Sequence, residues 1–217
     1  MTQFDDSVRV HDWPALNDAV HHGQQVFRQL LGAMAEPGSL VELDMAALPD
    51  GVGIPSAAWA AVLTLCDLDT RIWIDARIEA SGLAAAIAFH TGARVTQVAE
   101  EADFALILPS TLGEPLCFAE GIDAYPDRST TLIVAVESVE TGEDWQLSGP
   151  GIPDRRGLHI GGDGVTALMQ RLMANRTSFP CGLDAFIAAG SRITAIPRST
   201  AIMPSVNAPQ HAEEEVA

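Results

Sequence analysis

Asp67 and Asp69 stand one residue apart, behind the apolar run 61–66 and directly before Thr70. Where a hydrophobic strand delivers Asp-x-Asp-x-Thr, the first carboxylate attacks phosphorus and both carboxylates help to hold magnesium. The pair therefore raises a stand-alone magnesium-dependent phosphatase. Here, however, the threonine comes one place early, Arg71 fills its slot, and the preceding residues have helical rather than alternating spacing. The plainer expectation is a helix-to-strand turn with solvated or capping carboxylates. Glycine clusters at Gly51-Val52-Gly53, Gly149-Pro150-Gly151 and Gly161-Gly162-Asp163-Gly164 all fall short of Gly-x-Gly-x-x-Gly and read as turns. There is no Gly-x-Ser-x-Gly elbow and no His-Glu-x-x-His metal helix. His21 and His22 are adjacent, so on a helix they point apart and suit a metal poorly. His90 falls at the end of an expected helix, where the dipole favours a cation; it reads first as a cap and second as a functional group. Arg28, Arg71 and Arg198 each have the fork geometry to take a phosphate or phosphonate, against the commoner fate of a salt bridge.

Charge narrows the chemistry further. Twelve Lys+Arg against 29 Asp+Glu give 12 − 29 = −17, and all twelve basic residues are arginine. Without a lysine there is no Schiff base for pyridoxal phosphate and no Walker A amine. So acidic a chain is also a poor partner for nucleic acid or anionic lipid, which reward positive surfaces. Cys66, Cys117 and Cys181 are odd in number and far apart, suggesting neither disulfides nor a zinc ribbon. They read as small hydrophobes of a reducing cytoplasm. The start is acidic where a secretory signal is basic, and no uncharged run approaches the roughly 18 apolar residues of a membrane span.

The elements that must position these groups follow from periodicity. Val26, Phe27, Leu30, Leu31 and Met34 form one apolar stripe of a helix, closed by Glu36-Pro37-Gly38. Ser56 is placed to cap a second helix carrying Trp59, Val62, Leu63 and Cys66 on one face. Further helices are expected over 82–90 and 165–175. Strands are expected over 40–43, 71–74, 104–108, 131–136 and, weakly, 158–160, with a hairpin pairing 184–188 to 193–196. Gly142 reads as a turn with 145–147 pairing back, and 110–129 as a long loop. The chain divides into an arm at 1–16, one α/β domain over 17–200, and an acidic, disordered tail at 201–217.

Several segments are more specific as an ordered set than singly. They are Phe27-Arg28-x-Leu30-Leu31-x-Ala33-Met34-x-Glu36-Pro37-Gly38, then Leu63-Thr64-Leu65-x-Asp67-x-Asp69-Thr70-x-x-Trp73, then Phe89-His90-Thr91. Leu147-Ser148-Gly149-Pro150-Gly151-Ile152, Phe179-Pro180-Cys181-Gly182-Leu183-Asp184 and Ala195-Ile196-Pro197-Arg198-Ser199-Thr200 follow. Over 17–200 the set resembles the H-subunit (PhnH) family of the bacterial carbon-phosphorus lyase system. That resemblance implies a three-layer α/β/α fold with a mixed sheet, similar to the large domain of pyridoxal-phosphate-dependent transferases but without the cofactor. It implies a cytoplasmic, homodimeric subunit of the core complex, with the G, I, J and L subunits as partners. With G, I and L it would convert ATP and an alkylphosphonate into ribose 1-phosphonate 5-triphosphate plus adenine. ATP is then a substrate of the complex, and no cofactor or metal is assigned to this chain. The resemblance supplies no catalytic residue, which favours an accessory, assembly role. If the chain instead contributes to the ATP and phosphonate site, Arg28, His90 and Arg198 are the candidate contacts to an anionic ligand or partner.

Overall fold

Alternation along three short strands sets the architecture. In β4 (Phe104–Ile107), β7 (Thr131–Ala135) and β10 (Asp184–Ala189), successive side chains point to opposite faces. Leu106, Ile133 and Phe186 enter one apolar cluster, while Ala105, Ile107, Leu132, Val134, Ala185 and Ile187 enter another. Strands buried on both faces are what a central parallel sheet requires.

The computed structural model describes residues 10–78 and 82–205. Its main sheet adds β1 (Val41–Glu42), β2 (Arg71–Ile74), β3 (Arg94–Thr96) and β11 (Arg192–Ile196), in the order β1-β11-β10-β7-β4-β2-β3. The run from β10 to β3 is parallel, and β11 and β1 close one edge antiparallel. One face is covered by α1 (His21–Ala35), α2 (Ser56–Leu65) and α3 (Leu83–Thr91), which bury Val26, Leu30, Trp59, Val62 and Ile87. The other face carries α4 (Val165–Ser178), through Leu168 and Leu172. Beside α4 lies a three-stranded antiparallel sheet of β8 (Ser138–Gly149), β9 (Ile152–Gly161) and β12 (Ala201–Pro204). The fold is therefore mixed α/β on a large mixed sheet, with its second outer layer part helix and part sheet. Among the described residues no helix is long and apolar enough to cross a membrane.

Four details depart from the sequence reading. The expected loop at 110–129 contains a 3-10 turn, Pro109–Gly113, and a hairpin of β5 (Glu120–Ile122) and β6 (Tyr125–Ser129). That hairpin is pinned by arginines instead of an apolar face: Arg171 pairs with Glu120, and Arg128 lies 4.2 Å over the Tyr125 ring. Gly142 is no turn but lies where the β8–β9 register shifts, and the chain reverses at Pro150-Gly151. Ser56 occupies the first helical position after Pro55, and its hydroxyl donates to the Gly190 carbonyl at 3.1 Å. Finally, 201–204, assigned above to the tail, pairs with β8, and Trp13, assigned to the arm, is 2% exposed against Trp59. Residues 1–9 and 206–217 of the expected arm and tail lie outside the described residues.

Candidate functional site

Asp67 and Asp69 occupy the turn from α2 into β2. The Asp67 N–H donates to the Thr70 hydroxyl oxygen at 2.9 Å, the Thr70 hydroxyl donates to the Asp67 carbonyl at 2.8 Å, and the Asp69 N–H donates to the Asp67 carboxylate at 3.0 Å. The phosphatase reading needs a strand leading into the pair, with the carboxylates at its carboxyl end, where open α/β sheets bind ligands. Here a helix precedes them and they sit at the amino end of β2. The same local hydrogen bonds that make the turn consume the backbone, and both side chains are exposed. Among the described residues no group of three or more His, Cys, Asp or Glu could hold a metal ion.

Arg198 follows β11, and its guanidinium is occupied. It donates to both carboxylate oxygens of Asp184, to the Pro126 carbonyl at 2.6 Å and to the Ser129 hydroxyl oxygen at 2.5 Å. With four of its five N–H groups taken within the chain, it joins β10 to the β5–β6 hairpin and has little left for an anion. Arg71 lies 3.5 Å from Glu101 and 3.7 Å from Asp103. The arginines thus mostly follow the salt-bridge expectation.

His90 stands in the last turn of α3, as the sequence indicated. Its ring lies edge-on to Trp59 at 5.7 Å and to Phe89 at 5.1 Å, and its Nε2 is buried with no hydrogen-bond partner. Trp59 packs against Trp13 with ring centroids 4.8 Å apart and planes tilted by 54°, and it donates its indole N–H to the Pro14 carbonyl at 2.8 Å. His90 therefore belongs to an aromatic group that fastens the segment before α1 onto the helical layer.

Arg28 is elsewhere, on the outer side of α1. At about 100° per residue, buried Ala33, Val26 and Leu30 fall within roughly 60° of arc, while Phe27, Leu31 and Arg28 follow at roughly 100°, 140° and 200° from Val26. The core uses only the first arc: Phe27 is 49% exposed and Leu31 59%. The single core stripe inferred from the sequence is thus two faces, and the second lines a groove of about 600 Å³ between α1 and α2.

Two polar arrangements escaped the sequence reading because each needs a partner distant in the chain, Thr111 for Asp75 and His159 for Asp144. Asp75, just past β2 and 3% exposed, accepts from the Thr111 hydroxyl, from the Arg77 backbone N–H at 2.9 Å and from its guanidinium at 2.9 and 3.1 Å. Burial alone would raise this carboxyl, but the bonds from Arg77 and Thr111 outweigh it and hold it below the ordinary carboxylate range. Asp144 and His159 meet on β8 and β9, with Nδ1 2.5 Å from the carboxylate. Burial also pushes the Cys66 thiol up to about 12, which makes it an inert core group.

The geometry thus presents bonded pairs and an open groove, with no nucleophile, base and metal converging among the described residues. Comparison with known proteins gives that pattern a context. The family model for the bacterial phosphonate metabolism protein PhnH matches residues 14–203. The chain belongs to the PhnH family. Among curated relatives, it is 39% identical over 188 residues to the alpha-D-ribose 1-methylphosphonate 5-triphosphate synthase subunit PhnH of Rhizobium meliloti (strain 1021), covering 86% of this chain and 92% of that protein. It is 28% identical, also over 188 residues, to the putative C-P lyase subunit protein HtxG of Stutzerimonas stutzeri, covering 82% and 85%. Three of the six segments that carried the PhnH resemblance, those holding Gly38, Gly151 and Ala195, come together in space. The Gly38 N–H donates to the Ala195 carbonyl at 3.0 Å, and Arg156 donates to the Glu36 and Pro37 carbonyls, each at 2.8 Å. A Cβ on Gly151 would lie 2.0 Å from the Ala35 carbonyl oxygen, so the β8–β9 turn rests directly on the end of α1. These PhnH motifs are a packing junction. By contrast Phe27, Arg28 and Leu31, from the first motif, and Leu63 and Thr64, from the second, line the groove.

Proposed function

We propose that this chain is an accessory, assembly subunit of an α-D-ribose 1-phosphonate 5-triphosphate synthase, the complex that exchanges the adenine of ATP for an alkylphosphonate. The observation that carries this reading is the 39% identity, across most of both chains, to a protein named as a subunit of such a synthase. The absence of a converging nucleophile, base or metal ligands among the described residues fits a subunit that acts by ordering others. Its partners are the G, I, J and L subunits, its compartment is the cytoplasm, and it also forms a homodimer. Its sheet is kin to the large domain of pyridoxal-phosphate-dependent transferases, yet a chain without lysine cannot hold that cofactor as a Schiff base.

The test is reconstitution. G, I and L subunits are mixed with ATP and methylphosphonate, with and without this chain, and phosphorus NMR follows the ribose 1-phosphonate product. Product forms only when the chain is present; equal product in its absence removes the proposal. A second reading, direct contribution to the ATP and phosphonate site, draws on Arg28, which lines the groove, and on the unpartnered His90 Nε2. Under it, Arg28→Ala and His90→Ala slow adenine release while the complex still assembles. Under the assembly reading, adenine release per assembled complex is unchanged.

A further inference from the structure

The groove between α1 and α2 is apolar where the core needs no apolar residues. Val20 just before α1, with Phe27 and Leu31 on it, exposed by 60%, 49% and 59%, forms one wall, and Leu63 contributes from α2. Side chains of this size gathered on one strip reward burial when a partner covers them. Arg28 is the charged residue of the lining, and no hydrogen bond or ion pair engages it among the described residues. A guanidinium at the rim of an apolar groove is harmless in water. Once the groove is covered, it is left uncompensated unless the cover brings a carboxylate.

We propose that this groove receives an apolar segment of another subunit, bearing an Asp or Glu that pairs with Arg28. Helix-in-groove docking supplies the apolar contacts, and the charge pair fixes the register. The lining itself argues against a second copy of this chain. It contains no Asp or Glu, so groove packed on groove offers Arg28 no carboxylate. A bare phosphate is disfavoured too, since one arginine among apolar side chains meets few of its oxygens.

The absence of lysine makes this directly testable. Arg28→Lys introduces the one side-chain amine in the chain, and a carbodiimide joins an amine to a carboxylate only at contact distance. The experiment rests on the subunit reading and uses the full chain co-expressed with the G, I, J and L subunits. Native mass spectrometry counts this chain in the complex, and peptide mapping locates crosslinks, with the wild-type chain as the control for its α-amine. The expected result is a crosslink from the introduced amine to an Asp or Glu of another subunit. Adding Leu31→Ser weakens incorporation about tenfold, with unchanged melting of the isolated chain because Leu31 is exposed. A crosslink to a carboxylate of this chain, whether in residues 1–9 or in a second copy, overturns the inference while the subunit reading stands. So does a chain that assembles without any crosslink from that position, or one whose incorporation ignores Leu31→Ser. A wild-type chain that never enters the complex overturns both.

Discussion

Asp75 shows how one buried charge is made tolerable. Its carboxylate sits past the end of β2 with Arg77 two residues on, and Thr111, brought alongside by the turn after β4, adds its hydroxyl. Removing Arg77 leaves the carboxylate buried with weaker compensation, which costs about 3 kcal/mol for such a pair. Arg77 is itself 41% exposed along its side chain, so screening trims the effect toward roughly 2 kcal/mol. Arg77→Ala is accordingly expected to lower the melting temperature by roughly 4–8 °C at pH 7. The sign with pH follows from the direction of the shift. The folded carboxyl titrates below the unfolded one, so its stabilisation is fully present above the unfolded value, near pH 4, and is lost as pH falls through the lower folded value. The gap between wild type and variant should therefore shrink as pH is taken from 5 down past 3. A gap that stays constant would place the loss in packing instead of charge.

At the level of elements, the junction where the β8–β9 turn meets the end of α1 makes the sharpest demand on residue type. Gly151 has φ of 81°, and a Cβ there would sit 2.0 Å from the Ala35 carbonyl oxygen and 2.9 Å from Pro37 Cδ. Gly51 has nearly the same φ, 79°, but open space around it. Gly51→Ala should cost only the left-handed backbone term, about 1–2 kcal/mol, whereas Gly151→Ala adds a backbone collision and should cost about 3 kcal/mol or more. Paired thermal melts check this, and equal losses would refute the contact. The comparison also marks what was legible in the sequence. Helical spacing in 26–34 and β-branched density in 131–136 are local signals, and α1 and β7 lie where those signals put them. The β5–β6 hairpin was not legible because Arg171 of α4 and Arg198, two residues past β11, hold it, and neither is near in the chain. The stripe on α1 was legible as apolar but not as two faces, because a core and a docking surface use the same side chains. Arg28 and His90 were found by residue type, yet the structure separates them, one beside the groove and the other in the aromatic group. Arg198 was found too, and the expected hairpin of 184–188 with 193–196 brings it to Asp184, but its bonds to Pro126 and Ser129 depend on the β5–β6 hairpin, which spacing alone does not give.

Across the whole molecule, a charge of −17 without lysine acts as a field more than as a set of contacts. A triphosphate approaching this surface is repelled at long range, and five of the arginines that could meet it, Arg71, Arg77, Arg171, Arg192 and Arg198, are already held by carboxylates of the chain. That is a physical reason for placing the nucleotide on a partner subunit. The same excess strains the folded chain, since compaction brings like charges together. Half-exposed pairs such as Arg71–Glu101 and Arg192–Glu140 offset little of it, at about 0–1 kcal/mol each. Salt discriminates between the two contributions, because the screening length falls from about 30 Å at 0.01 M to about 8 Å at 0.15 M. Screening then weakens the many long-range repulsions more than the few short-range attractions. The melting temperature of the isolated chain at pH 7 should rise by a few degrees over that range of sodium chloride. The rise should vanish near the isoelectric point, about pH 4.4, where the net repulsion is gone. A melting temperature that falls with salt at pH 7 would mean that ion pairs, and not the excess of carboxylates, dominate the electrostatics of this fold.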